Sequence, residues 1–383
     1  MCKREMRQIK LYSFFSGCGL LDLGMERAGF NIAMVSEKYE PFLNAYRYSR
    51  ERMEISQPEH GYFNDDICDY LKADSILDNI FKEDKEKSII GFIGGPPCPD
   101  FSTAGKNRGE KGDNGKLSKT YFDLIAKEGP DFFVFENVKG LWKTKKHKEF
   151  YDKMYRKMKR KGYYIIDKLL NSLEYGVPQE RERVIMIGIK YNNKEQREIL
   201  KKLVSEFNWG IYNFNTLEMI KNIDWPVTEE FVENNITTAP DGIIEELTIQ
   251  YWFEQNDVDN HANARNYFRP QAGLNRMQTI EEGDVSKKSY KRLHRWRYSP
   301  TAAYGNNEVH LHPYKARRLS VAEVLAIQSA PKEFELPQTI SLTDMFKTVG
   351  NGVPELMAEK LGRELYQLIY SYNKLCGESA NDL

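Results

Sequence analysis

Ser88-Ile89-Ile90-Gly91-Phe92-Ile93-Gly94-Gly95-Pro96-Pro97-Cys98-Pro99-Asp100-Phe101-Ser102 is the stretch around which the chain is arranged. Its first six residues form an apolar, β-rich run, which reads as a buried strand. Gly94-Gly95 stops that strand and Pro96-Pro97 stiffens the turn after it. Open α/β sheets bind ligands just beyond the carboxyl ends of their strands, so Cys98 stands where a ligand would meet it. Thr103 to Lys116 is glycine-rich, charged and aperiodic, as suits a lid over a site. A lone cysteine in an intracellular chain is more often a structural thiol, so its surroundings have to decide its role.

Toward the N-terminus, Ile9 to Phe15 reads as a first strand, followed by Ser16-Gly17-Cys18-Gly19-Leu20-Leu21-Asp22-Leu23-Gly24 and a helix to about Ala28. Asn31 to Ser36 is a second strand, ending in Glu37, twenty positions after Gly17. This is a βαβ start whose glycines allow close ligand approach and whose terminal acid can accept hydrogen bonds from ribose hydroxyls. Asp74 to Phe81 is expected to be a helix capped by Asp74. Past Cys98, Leu117 to Lys127 reads as helical. Asp131 to Phe135 reads as a buried strand ending in Glu136-Asn137-Val138. Trp142 to Lys161 is a lysine-rich, solvated helix, and Tyr163 to Leu170 a strand. Gln179, Arg181 and Arg183 alternate on an extended chain and are expected to face one target together.

The chain has 383 residues, with 56 Lys+Arg against 56 Asp+Glu. Two domains are expected at this length. With no net charge, a nucleic-acid partner would have to meet a local basic patch. Such a patch exists: Ser286 to Pro300 carries Lys287, Lys288, Lys291, Arg292, Arg295 and Arg297 among Tyr290, Trp296 and Tyr298. Five cysteines without a C-x-x-C pair suggest neither a disulfide framework nor a metal site, and fit a reducing cytoplasm. No signal-peptide core, membrane span or solenoid repeat is expected.

Pro96-Pro97-Cys98-Pro99-x-Phe101-Ser102 resembles the nucleophile loop of the cytosine-C5 DNA methyltransferases, and other blocks of that family follow in its linear order. Phe14 or Phe15 with Gly17 and Gly19 resembles the glycine loop. Asn64-Asp65-Asp66-Ile67 resembles the Asp-Ile block, Glu136-Asn137-Val138 the Glu-Asn-Val block, and Gln179-x-Arg181-x-Arg183 the block after it. Arg317-Arg318-Leu319-Ser320-Val321-Ala322-Glu323 resembles the penultimate block, with Ser320 capping a helix to Ser329. Gly350-Asn351-Gly352-Val353-Pro354 resembles the last, before a helix from Glu355 to about Tyr370. Pro99 departs from the family, which usually has Gln there. Lys38 stands where an adenine-stacking aromatic is common, with Tyr39 next.

The resemblance implies a Rossmann-like α/β sheet with helices on both faces and a smaller, irregular target-recognition domain. The expected bounds are 1–190 for the catalytic domain, 191–342 for recognition and 343–383 for a segment returning to the sheet. It implies S-adenosylmethionine (AdoMet) as methyl donor and S-adenosylhomocysteine as product. The implied cofactor contacts are Phe14, Ser16, Gly17, Cys18, Gly19, Leu20, Glu37, Lys38, Asp66, Ile67, Pro97, Asn351, Gly352 and Val353. Cys98 would add to C6 of a flipped-out cytosine, Glu136 would bind N3 and the amino group, and Arg183 would hold O2 with Arg181 nearby. Ser102, Gln179 and the basic stretch would contact duplex DNA. A cytoplasmic, nucleoid-associated monomer is implied, paired functionally with a cognate restriction endonuclease and needing no metal. A tRNA cytosine methyltransferase and a catalytically silent DNA-binding relative are the competing readings. The long gap between Met186 and Arg317 favours DNA over tRNA, and the presence of Cys98, Glu136 and the glycine loop favours catalysis.

Overall fold

The computed structural model describes residues 7–97, 113–210, 216–270, 273–287, 289–301, 304 and 308–379. The N-terminal half alternates strands and helices: β1 (Ile9–Phe14), α1 (Leu20–Arg27), β2 (Asn31–Ser36), α2 (Glu40–Arg52), β3 (Tyr62–Phe63), α3 (Ile76–Lys87), β4 (Ile89–Gly94), α4 (Asp113–Glu128) and β5 (Phe132–Val138). Then come α5 (Lys139–Lys143), α6 (Lys145–Arg160), β6 (Tyr163–Asn171), β7 (Gln179–Glu180), β8 (Glu182–Lys190) and α7 (Lys194–Ser205). The remainder holds α8 (Leu217–Lys221), α9 (Ile249–Gln255), α10 (Leu274–Gln278), β9 (Ser299–Pro300), α11 (Val321–Ile327), α12 (Leu342–Asn351) and α13 (Glu355–Ser379).

Seven strands form one sheet in the order β3-β2-β1-β4-β5-β8-β6. The pairs from β3 to β5 are parallel, and β8 runs antiparallel to both β5 and β6. All six residues of β1 and of β4 are buried, as in a sheet covered on both faces. Alternation divides them. Ile9, Leu11, Ile89 and Ile93 join the core under α1, α7 and α13. Tyr12, Phe14, Ile90 and Phe92 join the core under α3, α4 and α6. Gly91 makes this packing possible, because a Cβ there would lie 2.2 Å from the Phe132 ring.

Two local expectations change, the cap of α3 and the boundary at 190. As expected, β5 ends in Glu136-Asn137-Val138, because antiparallel pairing with β8 carries it through Val138 (Glu136 opposite Ile185, Val138 opposite Arg183). Ser75, not Asp74, caps α3 through a capping box with Asp78, while Asp74 takes φ 54°. Gly350-Asn351 closes α12. Finally, α7 contributes Leu200 to the sheet core, although it lies beyond the expected boundary at 190.

A third core joins Cys18, Leu20 and Leu23 of the glycine loop and α1 to α9, α11 and α12. The expected boundary at 342 therefore falls inside continuous packing. No helix among the described residues is long and apolar enough to cross a membrane.

Candidate active site

The site lies at the carboxyl edge of β1, β2, β4 and β5. Past β1 the chain must turn sharply into α1. Phe15, Gly17 and Gly19 have φ of 55°, 57° and 89°, and Gly19 is the left-handed N-cap of α1. Gly19 also has no room for a side chain, because a Cβ would meet the Tyr46 ring at 2.6 Å. Beneath the turn, the buried Asp22 carboxylate accepts from Ser13 Oγ and Tyr46 OH, both at 2.8 Å. Burial pushes Asp22 up to about 6, although those two hydroxyls oppose the shift.

Glu37 closes the other side of the turn. Its Oε2 accepts from the Gly17 N–H at 3.0 Å and its Oε1 from the Tyr39 N–H at 2.8 Å. Burial raises its pKa, and the two backbone N–H groups pull it back. Lys38 points away and pairs with Asp66 at 2.6 Å. Asp66 also accepts from the Cys68 N–H, and Ile67 is buried in the sheet core.

The corner that holds Glu136 is built from β4, β5 and β8. Asn137 donates to the Pro96 carbonyl at 3.4 Å, tying the turn after β4 to β5. Glu136 is buried, and its Oε1 pairs with Arg183 Nε at 2.9 Å. Its Oε2 fills the space over Gly95, where a Cβ would sit 2.6 Å away. Gly95, having no Cβ, thus leaves the room that the carboxylate beside it occupies. Burial raises the Glu136 pKa, against the pull of Arg183 and Arg181. A carboxyl so placed can give or hold a proton at a ring nitrogen. Cys98, Ser102 and Lys288 lie outside the described residues. Pro97 is exposed at the edge of the described turn, one residue short of Cys98.

The sequence pattern of the C-5 cytosine-specific DNA methylase family matches residues 9–367. The chain belongs to that family. It is 53% identical over 366 residues to the type II methyltransferase M.NmeDI of Neisseria meningitidis serogroup C, covering 95% of this chain and 84% of the relative. It is 30% identical to M.FnuDI of Fusobacterium nucleatum, over 96% and 97% of the two chains. Among solved structures, it superposes on a protein described as a DNA modification methyltransferase from an E. coli prophage (TM-score 0.62, 21% identity, 95% and 100% covered). It also superposes on a mutant of Spodoptera frugiperda DNMT2 (TM-score 0.56, 16% identity, 95% and 100% covered). At those identities the structural likeness speaks for the fold alone. This C5 methylase thus has the AdoMet-dependent Rossmann-like fold and acts site-specifically on cytosine in DNA.

The residues at the glycine turn suit AdoMet. Ser16 Oγ is buried beside the turn with no hydrogen-bond partner among the described residues. Each Glu37 oxygen accepts one backbone N–H and retains acceptor capacity. Gly352 packs so closely on Leu20 that a Cβ would meet it at 2.9 Å. On either side of Gly352, Asn351 is exposed and Val353 buried. The Cys18 thiol is buried and raised to about 11, with the Thr348 side chain opposing that shift. Phe14 lies in the core beneath the sheet edge.

The methylase's Gln-x-Arg-x-Arg block does not aim at one target. Arg183 pairs with Glu136. Arg181 is fully buried and donates to the carbonyls of Gly350 at 2.8 Å and Gly352 at 2.9 Å. Gln179 is buried behind it. The cause is a break at Arg181, between β7, paired with β9, and β8, paired with β5.

The basic stretch needs a similar correction. Arg292 is fully buried over the Phe231 ring, and donates to the carbonyls of Met277, Ile280 (2.8 Å) and His312. Arg295 is buried against Glu282, with bonds of 2.8 and 2.7 Å. Arg297 is half-buried and donates to the Pro226 carbonyl at 3.3 Å. Lys291 is half-buried, and Lys287 is exposed. Two of the expected phosphate contacts are therefore internal braces. A segment lacking regular strands has many backbone carbonyls to satisfy, and buried guanidinium groups satisfy them.

Sequence reading gave no role to Tyr46, Asp22 or Thr348, which lie against the glycine turn. Only Asp22, four residues after Cys18, carried a signal, as an acid in the first turn of α1.

Proposed function

We propose that this methylase acts through Cys98, with Glu136 and Arg183 as the fixed half of the site. The Cys98 thiolate adds to C6 of a cytosine turned out of the duplex, which makes C5 an enamine carbon. Glu136 hydrogen-bonds N3 and the amino group, and Arg183 orients Glu136 while reaching O2. Bound AdoMet supplies the electrophilic methyl. Loss of the C5 proton to solvent then expels the thiolate. Gly17 to Leu20 and Asn351 to Val353 would hold the methionine end, and Glu37 the ribose. Arg181 holds the second of these loops and does not touch the base. Lys287, Lys291 and Arg297, with Lys288 and Ser102, are the proposed DNA contacts.

The supporting observation is the Glu136–Arg183 pair, buried against the turn that leads to Cys98. The type II naming of the relatives supports a modification role beside a cognate endonuclease. We take the enzyme to act as a cytoplasmic monomer on DNA. Its recognition part would begin after α7 and end before the return of α13.

The test begins by mapping 5-methylcytosine on a plasmid treated with enzyme and AdoMet, with tRNA as a control substrate. A duplex carrying 5-fluorocytosine at the mapped position should then form a denaturation-resistant complex with wild type and AdoMet, and none with Cys98→Ala. No trapped complex with wild type would overturn the covalent route.

A further inference from the structure

Between α12 and α13 the chain makes the turn that bears Asn351, Gly352 and Val353. The last carbonyls of α12 and the first N–H groups of α13 have no partners within their own helices. Gln328, at the C-cap of α11, partners two of these groups. Its Nε2 donates to the Val349 carbonyl at 2.8 Å, and its backbone carbonyl accepts from the Glu355 N–H at 3.1 Å. Next to it, Ser329 Oγ accepts from the Leu356 N–H at 3.0 Å. The Gln328 Oε1 accepts from Gln179 Nε2 at 3.3 Å. Gln179 in turn contacts Arg181, whose guanidinium grips the Gly350 and Gly352 carbonyls. Two residues along from Arg181, Arg183 holds Glu136. Gln328 and Gln179 are fully buried, in a setting where a broken polar link is not replaced by water.

We propose that Gln328 is a positioning residue for methyl transfer. Its carboxamide fixes the Gly350–Val353 turn relative to the strand bearing Arg183, and so fixes the methyl donor relative to the base held by Glu136. The inference rests on the reading of the site given above. Gln328 touches neither substrate, and its effect travels through Val349 and through Gln179–Arg181. Methyl transfer needs the reacting atoms aligned, and a misplacement of about 1 Å costs up to roughly a hundredfold in rate.

Gln328→Met keeps the volume and removes both carboxamide bonds. Three quantities are measured on the mapped duplex: the trapped fraction with 5-fluorocytosine, the single-turnover rate per trappable molecule at saturating DNA and AdoMet, and AdoMet affinity by calorimetry without DNA. The rate per trappable molecule should fall about tenfold or more, with AdoMet affinity changing about threefold or less. Arg181→Met should cost little more when added to Gln328→Met than either costs alone, because both act on one turn. A normal rate per trappable molecule with a smaller trapped fraction would make Gln328 merely structural. A loss confined to AdoMet affinity would make it a cofactor support, and fully multiplicative effects would separate it from Arg181. Each of these three results overturns the proposal. Absence of trapping in wild type would instead refute the covalent route. If Gln328→Met yields no folded protein, Gln179→Met cuts the same chain and is read against the same thresholds.

Discussion

At the scale of single residues, the site depends on side chains pressed into places where their charge is costly. Asp22 is the clearest case, buried below the glycine turn between Ser13 and Tyr46. Its pKa is raised from 3.8 to about 6. A carboxyl with a raised pKa binds its proton more tightly in the folded state than in the unfolded one. Its contribution is therefore full below the unfolded value and is lost as pH rises through the folded one. Asp22→Asn removes this titration. Between pH 4 and pH 7 its stability relative to wild type should improve by about 2–3 kcal/mol, read from urea midpoints. A difference that does not change with pH would count against the assignment. Gly95 makes the complementary point: the missing Cβ, not the backbone freedom, is what Glu136 needs.

At the scale of elements, α1 and α13 cross with their backbones close together. A Cβ at Gly24 would lie 2.5 Å from Ala358 Cβ and 2.6 Å from Glu359 N. At Gly362 it would lie 2.8 Å from Ala28 Cβ. Replacing a helix-interior glycine by alanine ordinarily gains about 1 kcal/mol. Here overpacking against another backbone, at about 1–3 kcal/mol, works against that gain. Gly24→Ala should therefore lower the thermal midpoint by about 1–2 degrees, a net loss of up to about 2 kcal/mol. An unchanged or higher midpoint would show that the helices can separate freely. This close crossing returns the C-terminal segment to the first loop, and with it Asn351 and Val353.

At the scale of the whole molecule, the chain is neutral, so its affinity for DNA has to come from a few placed cations. The basic stretch divides into those that remain outward and those spent on folding. Lys287→Ala should reduce the slope of log K against log salt by about 1, with folding unchanged. Arg292→Met should cost about 3 kcal/mol or more of stability, because it strands several carbonyls. The slope of its folded fraction should match wild type. Nitrocellulose-filter binding across salt concentrations, paired with urea melts, separates the two. Equal salt slopes for wild type and Lys287→Ala would remove Lys287 from the interface.

The blocks that mark the family were legible in the sequence because each is local. Gly94-Gly95-Pro96-Pro97 stops a strand wherever it occurs, and Gly17 and Gly19 permit a left-handed turn that few other residues tolerate. The Ser320–Glu323 capping box also needs only its own neighbours, and it forms as expected. The alternation of Gln179, Arg181 and Arg183 misled because period-two reasoning assumes one unbroken strand, and the break at Arg181 came from pairing with β9 and β5. Arg292 and Arg295 read as surface cations because a charge run carries no sign of how many unsatisfied carbonyls will surround it. By itself the sequence determined the strand ends, the turns and the order of the chemistry-bearing blocks, which follow from backbone sterics over a few residues. Only the tertiary structure decided which cations stay outside and which residues link the α12–α13 turn to Glu136, because burial and long-range hydrogen bonding depend on residues far apart in the chain.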